Sequence, residues 1–139
     1  MWVIAACGSA LFAGLVAILG KLGVQTTDSD VATAMRTCVV LVLAWVVAAC
    51  VGPLDAIGEI QPRTWLFLVL SGLATGASWV CYFRALQIGD ASKVAPVDKL
   101  SLVLVAVFAF AFLGERPALR EWAGIAMVAG GVLVLALKR

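Results

Sequence analysis

Four ionisable residues, Arg36, Arg84, Asp98 and Lys99, stand inside or at the edge of long apolar runs. A charge at membrane depth is costly, so such groups are held against protein or line a water-filled cavity, and they mark substrate and ion pathways. Arg36 falls about five residues into the second apolar run, about 7–8 Å at helical rise. Arg84 lies near the end of the third run, and Asp98 with Lys99 near the start of the fourth. Helices two and four leave the membrane side that helix three reaches, so the four charges lie at similar depth on three helices. Arg36 and Lys99 suit an anionic group, and Asp98 suits charge balance or proton carriage.

The third run adds a polar stripe, Ser71, Thr75, Ser78 and Tyr82, at spacings that place all four along one helix face. Trp79 is adjacent and offers a ring for stacking or for a cation–π contact. Lining of a pocket and hydrogen bonding between helices both fit this stripe. The charges also admit a structural reading. Pro96 fits the first turn of helix four, where a missing donor costs nothing, and Asp98 is then a first-turn carboxylate favoured by the helix dipole. Arg84 and Lys99 can snorkel to the headgroups, and Asp30 can cap helix two. Arg36 is deeper and fits that reading least.

Other chemistry is excluded by residue type. Histidine is absent, which removes histidine proton relays, His-containing zinc sites and Ser-His-Asp catalysis. Cys7, Cys38, Cys50 and Cys81 form no C-x-x-C pair and sit in apolar runs, as small packing residues do. No nucleophile–base pair, metal set or phosphate loop can be assembled, so the chain is not read as an enzyme and no cofactor is expected. Asp28 and Asp30 stand alone near a loop. The ten basic and eight acidic residues are scattered, unlike the clustered basic face of a nucleic-acid binder.

The elements that must position these groups follow from hydropathy. Of the 139 residues, 64% are hydrophobic and 13% charged, against about half and a quarter in soluble domains. So much apolar surface must face lipid or neighbouring helices, which leaves no separate aqueous domain. Crossing a ~30 Å hydrocarbon core takes about 20 residues. Five runs are long enough: 2–20, 31–51, 64–86, 94–113 and 119–137. They predict an all-α membrane protein with a single five-helix transmembrane domain over 1–139. Short connections with turn residues separate them: Gly23 to Asp30, Gly52-Pro53, Gly89-Asp90, and Gly114 to Pro117. Met1 is followed at once by apolar residues with no basic n-region, so the first run is not read as a cleaved signal peptide.

An odd number of spans puts the termini on opposite sides. Arg63, Arg116 and Arg120 lie on the side of the N-terminus; Lys21, Lys93, Lys138 and Arg139 lie on the other, with Arg36, Arg84 and Lys99 near it. Counted together, four plus three against three, the bias favours an outside N-terminus and a cytoplasmic C-terminus. Without the intramembrane residues the bias nearly vanishes, which permits both orientations. Small residues at four-residue spacing, Gly72 with Gly76 and Ala126 with Gly130, are read as packing surfaces between helices.

The segment Arg84-Ala-Leu-Gln-Ile-Gly-Asp-Ala-Ser-Lys-Val-Ala-Pro-Val-Asp98 resembles the junction of helices three and four in EamA-type transporters of the drug/metabolite transporter superfamily. The Gly114-Glu-Arg-Pro117 turn, with Trp122-Ala-Gly124 and Ala129-Gly-Gly131, is similar to that family's last hairpin. Together the motifs span nearly the whole chain. Most members carry two inverted five-helix repeats, and this chain resembles one repeat in its half-size bacterial and archaeal form. The resemblance implies that two copies, identical or paralogous, pair antiparallel in the cytoplasmic membrane to enclose one pathway. The related small multidrug resistance proteins have four helices and a glutamate in the first, where this chain has no ionisable residue between Trp2 and Gly20.

The leading expectation is a secondary transporter of a small metabolite, working as a dimer by alternating access. Arg36, Thr75, Ser78, Trp79, Tyr82, Asp98 and Lys99 are its substrate-binding residues, and small-molecule substrate and membrane lipid are its partners. Two alternatives stand beside it: a flippase or accessory subunit for a lipid-linked sugar, and a membrane assembly protein with no pathway.

Overall fold

The computed structural model describes residues 2–52 and 54–137. Pro53 of the second turn, and Lys138 and Arg139 of the charge count, lie outside them. All regular structure among the described residues is helical: α1 (Trp2–Gly23), α2 (Ser29–Val51), a 3₁₀ turn (Leu54–Glu59), α3 (Pro62–Ile88), α4 (Ala91–Asp98), α5 (Ser101–Phe108) running into a π-helical turn (Ala109–Leu113), and α6 (Leu119–Leu137). Five segments are long and apolar enough to span a bilayer, α4 and α5 with the π turn making the fourth. Large apolar side chains are exposed along every one of them, Trp2, Phe12, Val42, Leu70, Phe112 and Met127 among them. Water would penalise such surface heavily, whereas lipid solvates it.

The helices extend past the apolar runs, for a physical reason. Hydropathy locates the hydrocarbon slab, while the backbone hydrogen-bond ladder continues into the headgroups. Lys21 therefore lies in the last turn of α1, and α3 takes in Arg63 at one end and Gln87 at the other.

The chain forms two compact units, Met1–Ile88 and Gly89–Arg139. In the first, α3 packs on both α1 and α2. Its buried apolar residues are Ala17, Val24, Phe83 and Leu86. Ser29 and Thr33 are buried too. The Thr33 hydroxyl donates to the Ser29 carbonyl at 2.7 Å, and Thr37 donates likewise to Thr33; back-bonding to the preceding turn satisfies hydroxyls that lipid cannot. Asp28 caps α2, its Oδ1 accepting from the N–H groups of Asp30 and Val31. The capping role expected of Asp30 belongs to Asp28, because Asp30 lies inside the first turn and is paired elsewhere.

Helix contact in this unit depends on Gly20, a position the four-residue spacing rule did not select. A Cβ there would stand 3.0 Å from Phe83 Cε1. A Cβ at Gly72, Gly76 or Gly130 would meet nothing within 4 Å among the described residues, so these glycines of the small-residue faces stand open. Gly20→Val is expected to destabilise the protein by about 1–3 kcal/mol through overpacking against a buried ring. Thermal unfolding in detergent checks this, with Gly72→Val as the control expected to unfold near the parent temperature.

In the second unit α6 packs against α4 and α5, burying Val132, and Phe110 meets Trp122 edge-on at 6.5 Å between centroids. The π turn closes on Gly114, whose φ of +70° is a left-handed conformation that costs a residue with a Cβ about 1–2 kcal/mol. The N–H of Gly114 donates to Ala109. Glu121 then reaches back to accept from the Ala118 N–H at 2.7 Å, which supplies half of a capping box for α6.

Candidate functional site

Because α2 begins at Ser29, Arg36 stands seven residues into the helix (36 − 29), about 10 Å along its axis. On α3, Trp79 and Phe83 are one turn apart on one face, the face that turns Leu86 toward the core. The Arg36 guanidinium lies against both rings, with Cζ 4.3 Å from the Trp79 centroid and 5.1 Å from that of Phe83. Two rings supply cation–π attraction of about 0.5–2 kcal/mol each, most where water is excluded. They supply no hydrogen-bond acceptor in the guanidinium plane. Arg36 Nη1 is buried and has no hydrogen-bond partner among the described residues. The ion pairs of those residues join Asp30 to Arg84, Asp90 to Lys93, and Asp98 to Lys99. A buried donor left unsatisfied costs on the order of 1–3 kcal/mol, and more when charged.

Beside this guanidinium is a cleft of about 280 Å³. Val16, Leu19 and Gly23 of α1 line it with Ala32 and Arg36 of α2 and Phe83 of α3. Arg36 is the single charged residue in that wall. Its walls are apolar and come from three helices, with one charged side chain among them.

The other sequence-selected residues divide between the units. Tyr82 is half-buried, packs edge-on against Phe83 at 5.8 Å, and stands within electrostatic reach of Arg36. Arg36, Trp79 and Tyr82 therefore share one neighbourhood in the first unit. Thr75 and Ser78 are exposed on an adjoining face of α3, and the Thr75 hydroxyl is spent on the Ser71 carbonyl at 2.9 Å. Asp98 and Lys99 belong to the second unit and pair with each other, Nζ to Oδ2 at 3.4 Å.

Their setting differs from the expected first turn. Since α4 starts at Ala91, Pro96 is internal to it and Asp98 is its last residue. Pro96 has no N–H with which to continue the ladder. The Lys99 and Leu100 N–H groups fold back on Pro96 and Val97, in short bonds that interrupt the fourth span before α5 begins. Asp98 and Lys99 thus mark a break inside a membrane-spanning segment.

Sequence reasoning missed Phe83 and the α1 wall. The signal available for Phe83 was its spacing from Trp79, one turn along the same face.

The end of the first unit opposite the N-terminus is tied across its helices. Arg84 holds Asp30 through both carboxylate oxygens, Nε to Oδ1 at 3.0 Å and Nη2 to Oδ2 at 2.6 Å. Lys21 Nζ donates to the Leu86 carbonyl at 2.6 Å, a cation on the negative end of α3. Gln87 donates to the Thr27 carbonyl at 3.2 Å. Arg84 is therefore engaged by a specific partner, where snorkelling to headgroups was the sequence expectation. The bidentate fork suits guanidinium and carboxylate geometry.

Comparison with known proteins agrees with this architecture. Residues 1–137 match the EamA-like transporter family. A Sinorhizobium sp. protein described as an "uncharacterized transporter in cobO 3'region" is 52% identical over 136 residues, covering 98% of this chain and 96% of that protein. Shorter matches reach a probable 4-amino-4-deoxy-L-arabinose-phosphoundecaprenol flippase subunit, ArnE. The Pseudomonas fluorescens protein is 33% identical over 72 residues, 51% of this chain and 60% of its own length. The Yersinia pestis protein is 30% identical over 69 residues, with 50% and 60% covered. No solved structure matches. With five apolar spans and a family match along nearly its whole length, this chain is a multi-pass membrane protein that belongs to the EamA-like transporter family.

Proposed function

We propose that this protein is a secondary transporter of a small metabolite, acting as a dimer by alternating access, with Arg36, Trp79 and Tyr82 at the centre of its substrate site. The observation that carries this reading is the Arg36 cleft: a guanidinium about two turns into α2, set on two rings, with a buried Nη1 that has no hydrogen-bond partner among the described residues. A structural cation would be expected to have an acceptor at that depth. The tightened turn at Lys99–Leu100 in the fourth span adds support, because transporters place substrate and ion sites where membrane helices depart from regular α geometry. In this reading Thr75 and Ser78 present the outer face of α3 to a second copy, and Asp98 with Lys99 supplies the ionisable pair at the break.

The test is a thermal-shift screen of the purified protein against metabolite pools, followed by uptake into proteoliposomes. A pool that raises Tm and whose component is then transported supports the reading; proteoliposomes that move no component of any stabilising pool overturn it. Asp98→Asn is expected to abolish proton-coupled uptake while leaving Tm near the parent value, since its exposed pairing with Lys99 contributes little stability. Uptake with an unchanged pH profile would remove Asp98 from the mechanism.

A second reading, a flippase or accessory subunit for a lipid-linked sugar, rests on the half-length similarity to ArnE. Co-purification of a polyisoprenoid-linked sugar would favour it.

A further inference from the structure

We infer that the Arg36 cleft selects an organic monoanion, a carboxylate or a phosphodiester carried on a compact apolar body, over neutral and cationic molecules of the same shape. The inference rests on the transporter reading for its biological meaning, and on the cleft alone for its chemistry.

Among the described residues one buried side-chain donor is unsatisfied, Arg36 Nη1. It belongs to a group that stays cationic at any working pH, so the partner that satisfies it best is an anionic oxygen. Charge balance sets the number. Arg36 is the one charged residue in the cleft wall, and no acidic side chain is paired with it among the described residues. A single negative charge neutralises it, whereas a second would be stranded against Val16, Leu19 and Phe83. The rings of Trp79 and Phe83 lie against the guanidinium, holding its plane without competing for its N–H groups. Size restricts the body: about 280 Å³ lies at the lower edge of the ~300–1,000 Å³ typical of ligand pockets. An amine of the same shape would bring a second cation beside Arg36, and an amide would leave the charge uncompensated.

An oxyanion of this kind can come from a soluble acid or from a lipid headgroup, and the experiment separates the two. The full-length protein is placed in nanodiscs of phosphatidylcholine alone or of phosphatidylcholine with phosphatidylglycerol. Melting is then followed with 3-phenylpropionate, 3-phenylpropanamide and 3-phenylpropylamine, which share one apolar body. The carboxylate is expected to raise Tm in phosphatidylcholine discs, with the amide and amine giving no comparable shift. Arg36→Gln is expected to weaken apparent carboxylate affinity about tenfold or more. Gly23→Leu is a second variant that keeps the guanidinium. Gly23 lines the cleft and a Cβ there meets nothing within 4 Å, so the backbone position accepts a side chain, and the rest of the leucine competes with the ligand for space.

Loss of the carboxylate shift in both variants, each folded, supports the inference. Loss of that shift on adding phosphatidylglycerol, together with a phosphatidylglycerol stabilisation that Arg36→Gln removes, supports it with a headgroup as the source. An amine or amide shift equal to that of the acid overturns it, as does a carboxylate shift that survives Arg36→Gln. A parent that no carboxylate stabilises also overturns it, and the transporter reading is then decided separately by uptake of the metabolite pools.

Discussion

Arg36→Ala is expected to reduce transport in proteoliposomes by about 30-fold or more while leaving Tm unchanged or raised. The two effects have opposite signs for one reason. Removing one partner of a desolvated, hydrogen-bonded charge pair costs about 2–5 kcal/mol of binding, much of it the penalty of leaving the other charge unpaired. Arg36 Nη1, however, is a buried donor with no acceptor among the described residues, and an unsatisfied group of that kind is a liability to the fold. Truncation removes the liability along with the function. Arg36→Lys is expected to rescue poorly, since a compact ammonium cannot lie flat against the Trp79 and Phe83 rings as a guanidinium does. Uptake rates and Tm measured on the same preparations decide the matter. A fall in Tm with transport retained would make Arg36 a structural residue.

Phe83→Ala is expected to destabilise the protein by about 2 kcal/mol. The ring is 2% exposed, meets Gly20 closely, and carries contacts to both Tyr82 and Arg36. In a soluble core such a truncation costs about 3–5 kcal/mol, of which part is transfer of apolar surface from water. Between membrane helices lipid is as apolar as the core, so that part is largely absent. The remaining cavity contribution, ~24 cal/mol per Å³ over roughly 100 Å³ of lost ring, gives about 2 kcal/mol. Phe83→Leu, which refills much of the volume, is expected to recover over half of it. Unfolding of the two variants in mixed micelles measures the difference, and an Ala variant as stable as the parent would show that the helix contact does not depend on this ring.

Much of the architecture is legible in hydropathy because the bilayer imposes it. A segment must be helical, about 20 residues long and apolar to cross, and each condition is local to the segment. The fifth span, Leu119–Leu137, coincides with its apolar run. The others run two or three residues beyond theirs at one or both ends, where polar side chains sit in headgroups and the helix continues. The candidate site was legible in residue type, not in partnership. An arginine at depth and a tryptophan on α3 are visible as chemical outliers, yet no local rule specifies that they meet.

What the sequence by itself determined is therefore the class: five spans, no histidine chemistry, and a short set of intramembrane charges that need a reason. What only the tertiary structure decided is which group answers which. Asp28 caps α2 while Asp30 is taken by Arg84, a choice between two carboxylates that lie two residues apart. Pro96 is internal to α4, not in its first turn, because the helix starts earlier than its apolar run, with Asp90 as its N-cap. Gly20 is a contact while Gly72 and Gly76 are open, because helix approach depends on which face turns inward and small size alone does not say. Arg36 lies against two rings beside a cleft with Nη1 unsatisfied. That geometry joins α1, α2 and α3 across more than sixty residues, and such long-range juxtaposition is settled by packing, not by periodicity.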